Sequence, residues 1–220
     1  MEKINLGKQI GFGVEKSVHR DPENPDKVIG VYHKGIESGR VVRARFYLTK
    51  ILHLLFPKNI PDIQASYSNP NIVKRSRVTP DELHKTIEKV RKMEFRDKTV
   101  PKDLIREDVN ARRKIAWDQK VEIFTKHLRE LGIDDDYSVN NFTYDEDGNP
   151  VWLDTVDPWY SPTKPRLQER TDSLELNFNI SKLREAIGRL EDNKKEEALT
   201  CLDRLTKLVE EESSFLTDSR

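Results

Sequence analysis

The chain has 220 residues, enough for one domain or two closely packed lobes around a buried core. Lysine plus arginine and aspartate plus glutamate number 39 each, so the field of the whole protein gives no reason to expect nucleic acid or an anionic membrane as the main partner. The single cysteine, Cys201, excludes an intramolecular disulfide or a thiolate cluster, and the scattered histidines show no pair at zinc-ligand spacing.

The longest apolar runs, such as 51–56, are far too short to span a bilayer, and Met1-Glu2-Lys3 opens no signal peptide. The expectation is a soluble, cytoplasmic protein. In chain order, Ile4, Leu6 and Ile10 lead to Gly11-Phe12-Gly13, and Val18 follows. The turn Asp21-Pro22-Glu23-Asn24-Pro25 then precedes the apolar run 28–32, which predicts a pair of hairpin strands. Over 38–56, apolar residues at positions 41, 44, 48, 51, 52 and 55 keep the helical period, and Pro57 stops the helix. Two further strands are predicted around 63–67 and 72–78.

From residue 79 the pattern turns helical. Thr79-Pro80-Asp81-Glu82 reads as a capping box with proline at the first helical position, opening a helix to about residue 93. A long helix is predicted over 104–131, with Trp117, Val121, Phe124, Leu128 and Leu131 on one face and Gly132 as its stop. Two amphipathic helices near 181–192 and 194–212 close the chain. Their apolar stripes, at positions 183, 187 and 190 and then 198, 202, 205 and 209, are expected to pack on the body of the protein.

The most informative segment lies between the long helix and the closing pair. Asp136, Asn141 and Asp154 stand in the pattern D-x4-N-x12-D. Phe142 and Tyr144 lead into Asp145-Glu146-Asp147-Gly148-Asn149, and Val151 and Leu153 lead out, so a hairpin is predicted with Asn141 and Asp154 at its open end. A carboxamide and a carboxylate side by side suit a hard divalent cation. A calcium loop does not fit, because the D-x-D-x-D-G order and a glutamate at the twelfth position are both missing.

Strands with one helix, then helices around a polar loop and a hairpin, together with this spacing, resemble the protein-kinase-like superfamily over about residues 4–157. The resemblance implies an α+β, protein-kinase-like bilobal fold. Its N-lobe, a small antiparallel sheet with one helix, would occupy 1–77, and a mainly helical C-lobe 78–220. It also implies ATP and Mg2+ (or Mn2+) as cofactors, with Asp136 orienting or deprotonating an acceptor hydroxyl and Asn141 and Asp154 holding metal. The run from Gly11 to Val18 reads G-x-G-x-x-K-x-V. Gly11 and Gly13 would cradle phosphates, and Val18 with Val28 would cover the base.

Departures from the family pattern are informative. The strand position that carries lysine in kinases is Gly30, and Lys34 lies roughly 13 Å further along the same face. Lys16 is closer, since the neighbouring strand is only about 4.8 Å away. The arrangement is similar to that of the with-no-lysine kinases, whose glycine loop supplies the lysine, and it assigns Lys16 to nucleotide binding and catalysis. The first helix contains no acid to pair with that lysine, only Arg40, Arg43, Arg45 and Lys50 among the charges. The H-R-D triplet is replaced by Asp134-Asp135-Asp136 and the D-F-G triplet by Asp154-Thr155-Val156, and the A-P-E element is lacking. The leading expectation is a minimal phosphotransferase acting on an unknown protein or small-molecule hydroxyl. Nucleotidyl transfer in the same cleft, a pseudokinase acting as a scaffold, and a helical interaction protein with an accidental motif are the alternatives.

Overall fold

The computed structural model describes residues 5–12, 16–33, 39–66, 69–96, 98–133, 139–158 and 176–218, the last seven by backbone alone. Gly13 and Asp136 lie outside the described residues. The N-terminal part forms β1 (Gln9–Phe12), β2 (Lys16–Arg20) and β3 (Lys27–Tyr32), then α1 (Gly39–Leu55), β4 (Ile63–Ala65) and β5 (Ile72–Ser76). The five strands make one antiparallel sheet in the order β1-β2-β3-β5-β4. The β2–β3 turn is set by side chains that replace backbone partners: Asp21 accepts from the Glu23 amide at 3.0 Å and Asn24 from the Asp26 amide at 3.0 Å.

The helix α1 is the joint of the molecule. Ala44, Leu48, Ile51 and Leu52 on its inner stripe are fully buried, and they join the main apolar core with residues of every later helix and of the hairpin described below. Another turn of the same helix, at Val42, packs with Tyr32, Ile63 and Val73 under the sheet. One helix thus buries residues in both apolar clusters.

The remainder comprises α2 (Glu82–Phe95), α3 (Lys102–Ala116), α4 (Gln119–Glu130), a 3-10 turn (Val139–Asn141), β6 (Phe142–Tyr144), β7 (Pro150–Trp152), α5 (Ile180–Gly188) and α6 (Asp192–Asp218). The class is therefore α+β. The helix predicted over 104–131 is two helices. Asp118 breaks it by capping a new start, accepting from the Lys120 amide at 2.7 Å while its other oxygen takes the Tyr144 hydroxyl at 2.9 Å. Trp117, expected on the buried face, sits at the break and is 80% exposed. The cap of α2 also shifts: Asp81, not Thr79, is the N-cap, accepting from the His84 amide at 2.9 Å, so Pro80 precedes the helix. Gly132 has φ +79°, the left-handed conformation that a helix stop favours.

The closing helices pack as their stripes suggest. Leu183 and Ile187 of α5, and Ala198, Cys201, Leu202, Leu205 and Val209 of α6, all enter the main core, with α6 lying along α1. Lys50 of α1 adds a polar tie, donating to Asp62 at 2.7 Å and reaching Glu197 of α6 at 3.3 Å. Among the described residues no helix is long and apolar enough to cross a membrane.

Leu48 and Leu205 are both wholly buried in this core. Urea denaturation of Leu48→Ala and Leu205→Ala is expected to show losses of about 2–5 kcal/mol each. Trp117→Ala should stay within about 0.5 kcal/mol of the parent, as befits an exposed site.

Candidate active site

The hairpin forms as the turn residues dictate. Asp145 Oδ1 accepts from the amides of Asp147 at 3.0 Å and Asn149 at 2.7 Å, and Gly148 takes φ +69°. Phe142 and Trp152 pair across the strands and stack edge to face at 5.2 Å, both fully buried, which fixes the register. Past the strands the Leu153 amide donates to the Asn141 carbonyl at 2.7 Å. Asn141 and Asp154 therefore share the open end, as the spacing predicts.

The chain leaving the hairpin is held at five consecutive residues. Arg75 of β5 donates to the Leu153 carbonyl at 2.7 Å, and its second terminal nitrogen lies 3.3 Å from the Trp152 carbonyl. Lys16 of β2 donates to Asp154 Oδ1 at 2.6 Å. The Tyr32 hydroxyl and Thr155 Oγ1 are 2.9 Å apart and buried. The Val156 amide donates to Thr49 Oγ1 at 3.1 Å, and Arg45, also of α1, pairs with Asp157. The sheet and α1 together position every one of these groups.

Lys16 reaches Asp154 by crossing the sheet face. Its register partner is Tyr32, two residues beyond Gly30, and the side chain runs diagonally back so that its Cδ lies 4.0 Å from where a Gly30 Cβ would stand. Val73 Cγ2 already lies 3.3 Å from that point, so a larger residue at Gly30 would crowd both neighbours. The ammonium ends 5.5 Å from the centroid of the Tyr32 ring, whose surroundings also include the Arg45 guanidinium at 5.8 Å. Burial pushes the Asp154 carboxyl up, but the Lys16 ammonium, its hydrogen bond, the Thr155 amide and Arg75 outweigh that and hold it well below the usual carboxylate range. Burial likewise pulls the Lys16 ammonium down, and Asp154 more than compensates, leaving it above its ordinary value.

A cleft of about 320 Å³ opens where β5 runs into the chain leading to α2. Val18, Val28 and Leu153 line it, with Ile10, Pro61, Val78 and Pro80 among its other apolar residues. Both valines assigned to the base from the sequence thus border one cavity. Gly11 stands opposite Val18, and a Cβ there would meet the Val18 side chain at 3.4 Å, so the β1 position can take the strand into close contact with its neighbour. The sequence reading missed Arg75, Tyr32, Thr49 and Arg45. The available signal for Arg75 was its alternation with Val73, which places a cation on the inner face of a strand.

Both hydrogen bonds to Asp154 from described residues fall on Oδ1, and the side chain is 45% exposed. The side chains of Asn141 and Asp154, both at the open end of the hairpin, offer hard oxygens of the type that Mg2+ or Mn2+ takes. Among the described residues there is no cluster of three or more histidine, cysteine or acidic side chains suited to a metal.

Because the folded state keeps Asp154 below its ordinary value of 3.8, its contribution to stability is complete above that pH and is lost as the pH falls further. The Lys16 contribution is complete below 10.5 and lost only above it. Asp154→Asn should therefore lower the urea midpoint at pH 7, and the gap from the parent should shrink steadily below pH 3.8. A gap of constant size down to pH 2 would refute the ion pair as its cause. No protein-family model matches the chain, and no curated protein matches it.

Proposed function

We propose that the protein is an ATP- and Mg2+-dependent phosphotransferase of minimal kinase-like type, acting on an alcohol hydroxyl. The observation that carries this reading is the Lys16 side chain passing over Gly30 to bond Asp154, the residue after Leu153, which itself lines a cleft with Val18 and Val28. In this reading a cation that reaches the hairpin carboxylate from the loop-side strand would meet the phosphates of a nucleotide whose base lies in the cleft. The sheet order, with α1 inserted between β3 and β4, supports the bilobal arrangement with lobes at 1–77 and 78–220.

In this reading the base lies against Val18, Val28 and Leu153, and Gly11 and Gly13 let the backbone approach the phosphates. Lys16 neutralises phosphate charge. Asn141 and Asp154 hold Mg2+ or Mn2+, which when bound offsets the negative charge on the phosphoryl oxygens. Asp136 accepts the acceptor's hydroxyl proton as its oxygen bonds to the γ-phosphorus, and the bond from that phosphorus to the β–γ bridging oxygen breaks, releasing ADP.

A second reading, a nucleotide-binding scaffold without turnover, has one observation in its favour. Asp154 is engaged by Lys16, and α1 carries no acid to draw the lysine away. The readings separate on activity. Lys16→Ala should abolish most phosphotransfer while Lys34→Ala leaves it within about twofold, and Lys16→Gly with Gly30→Lys should restore part of it. Asp136→Asn should retain ATP affinity while lowering turnover, because a group used mainly in the transition state changes the rate and not the binding. Isothermal titration should show Mg2+ tightening ATP binding in the parent and not in Asp154→Ala. Binding of ATP without turnover over any acceptor pool supports the scaffold instead.

A further inference from the structure

The sheet order leaves β1 at one edge, and among the described residues it pairs with β2 alone. Its other side carries backbone N–H and C=O groups that a further extended chain can take up. Gln9, Ile10 and Gly11 of this strand and the facing side of α2 border a cavity of about 620 Å³. A second cavity, of about 490 Å³, continues along α2 and shares Ile10, Lys92 and Arg96 with the first. Together they form one groove between a sheet edge and a helix.

The helix side of the groove is a row of cations. Lys85, Lys89, Lys92 and Arg96 stand four, three and four residues apart, so they follow one face of α2, and Lys98 continues the row past its end. With Arg91, six cations border the groove against two acids, Glu88 and Glu94, although the chain as a whole is neutral. Glu88 is taken up by Arg91 at 3.3 Å and Lys92 at 3.4 Å, and Lys85 pairs with Glu82 at 2.6 Å. Among the described residues Lys89, Arg96 and Lys98 have no ion-pair partner. The row advances about 6, 4.5 and 6 Å along the helix axis at 1.5 Å per residue. In an extended peptide alternate side chains share a face about 6.6 Å apart, so acids at every second position keep step with it. A single nucleic-acid strand fits less well. Its charges recur about every 3.4 Å and it relies on stacking rings, of which Phe95 is the one phenylalanine, tyrosine or tryptophan side chain on this groove.

We propose that this groove docks an extended acidic segment of a partner protein, with Asp or Glu at alternate positions. The segment's backbone pairs with the free side of β1, and its carboxylates meet Lys89, Arg96 and the cations between and beyond them. Since β1 is four residues long and bulged between Gln9 and Gly11, backbone pairing is short and sets direction, while charge supplies most of the affinity. The groove shares Ile10 and Pro80 with the cleft of Val18 and Val28, so a docked partner is held beside that cleft. The docking requires only the strand edge and the cation row, and it stands or falls independently of the nucleotide.

Fluorescence anisotropy on the full chain tests this with a labelled peptide of about ten residues alternating Glu and Thr, the same peptide with Gln for Glu, and a thymidine oligonucleotide of similar length. The acidic peptide should bind more tightly than the oligonucleotide, and about tenfold or more tighter than the Gln peptide, the combined worth of several exposed ion contacts. Its affinity should fall as salt rises from about 0.1 to 1 M and the screening length drops from about 10 to 3 Å. N-methylation of its Glu amides in one version and of its Thr amides in another should weaken one of the two about threefold or more, the worth of a hydrogen bond or two. Lys89→Gln with Arg96→Gln should bind the acidic peptide about fivefold or more weaker. Arg113→Gln with Lys114→Gln on α3, an equal loss of charge, should bind it as the parent does. All four positions are exposed, so neither double variant threatens the fold. The proposal is overturned by no binding of the acidic peptide, by equal binding of the Gln peptide, or by tighter binding of the oligonucleotide. Indifference to salt or to both methylations, or an equal effect of the two double variants, overturns it as well.

Discussion

The contact between Lys16 and Asp154 joins two parts of the chain that are far apart in sequence, and the surrounding groups are arranged so that it can form. Lys16 leaves the second strand and must cross a position that carries no side chain, Gly30. Asp154 must be delivered from the other side, and the hairpin does this by fixing its register on Phe142 and Trp152. A 2.6 Å bond between an ammonium and a carboxylate is short and charge-assisted, and its partial burial raises its strength and the cost of losing one partner. Tyr32, Arg75 and α1 then fix the residues on either side of Asp154, so the carboxylate sits on a restrained backbone.

The charge on α1 leaves this ion pair without a rival, since the helix carries no acid that could compete for Lys16. Arg45 pairs with Asp157, and Lys50 ties the helix to Asp62 and Glu197. The helix is thus basic on both flanks, and the acids lie on the segments it touches. Its apolar stripe is shared between the sheet and the helical body, and α6 covers it along its length. Movement of α6 against α1 would be felt at Val156 and Asp157, through Thr49 and Arg45 on the same helix.

Much of this was legible in the sequence, for identifiable reasons. Strong turn residues bracket β2, β3 and the hairpin, so their places follow from local chemistry, and α1 occupies 39–55 against the 38–56 that its apolar period indicates. That Lys16 could cross towards Gly30 was read from strand spacing together with the resemblance to with-no-lysine kinases, while its bond to Asp154 was not foreseen. The break at Trp117 was hidden because the apolar positions of α3 and α4 run on in one period, and only the capping of Asp118 and its bond to Tyr144 interrupt it. Arg75 was hidden for a different reason: strand alternation tells which face a residue occupies, while its carbonyl partners come from a hairpin 77 residues away. The pairing of Arg45 with Asp157 depends likewise on tertiary placement, which no local pattern encodes.

A crystal structure with a non-hydrolysable nucleoside triphosphate and Mn2+ tests the account most directly. The expected result is a base between Val18, Val28 and Leu153, a metal on Asn141 and Asp154, and the Lys16 ammonium within hydrogen-bond distance of a phosphate oxygen while still beside Asp154. A nucleotide bound elsewhere, or one bound in the cleft with the Lys16 ammonium more than about 6 Å from every phosphate oxygen and so largely uncoupled from them, would contradict it.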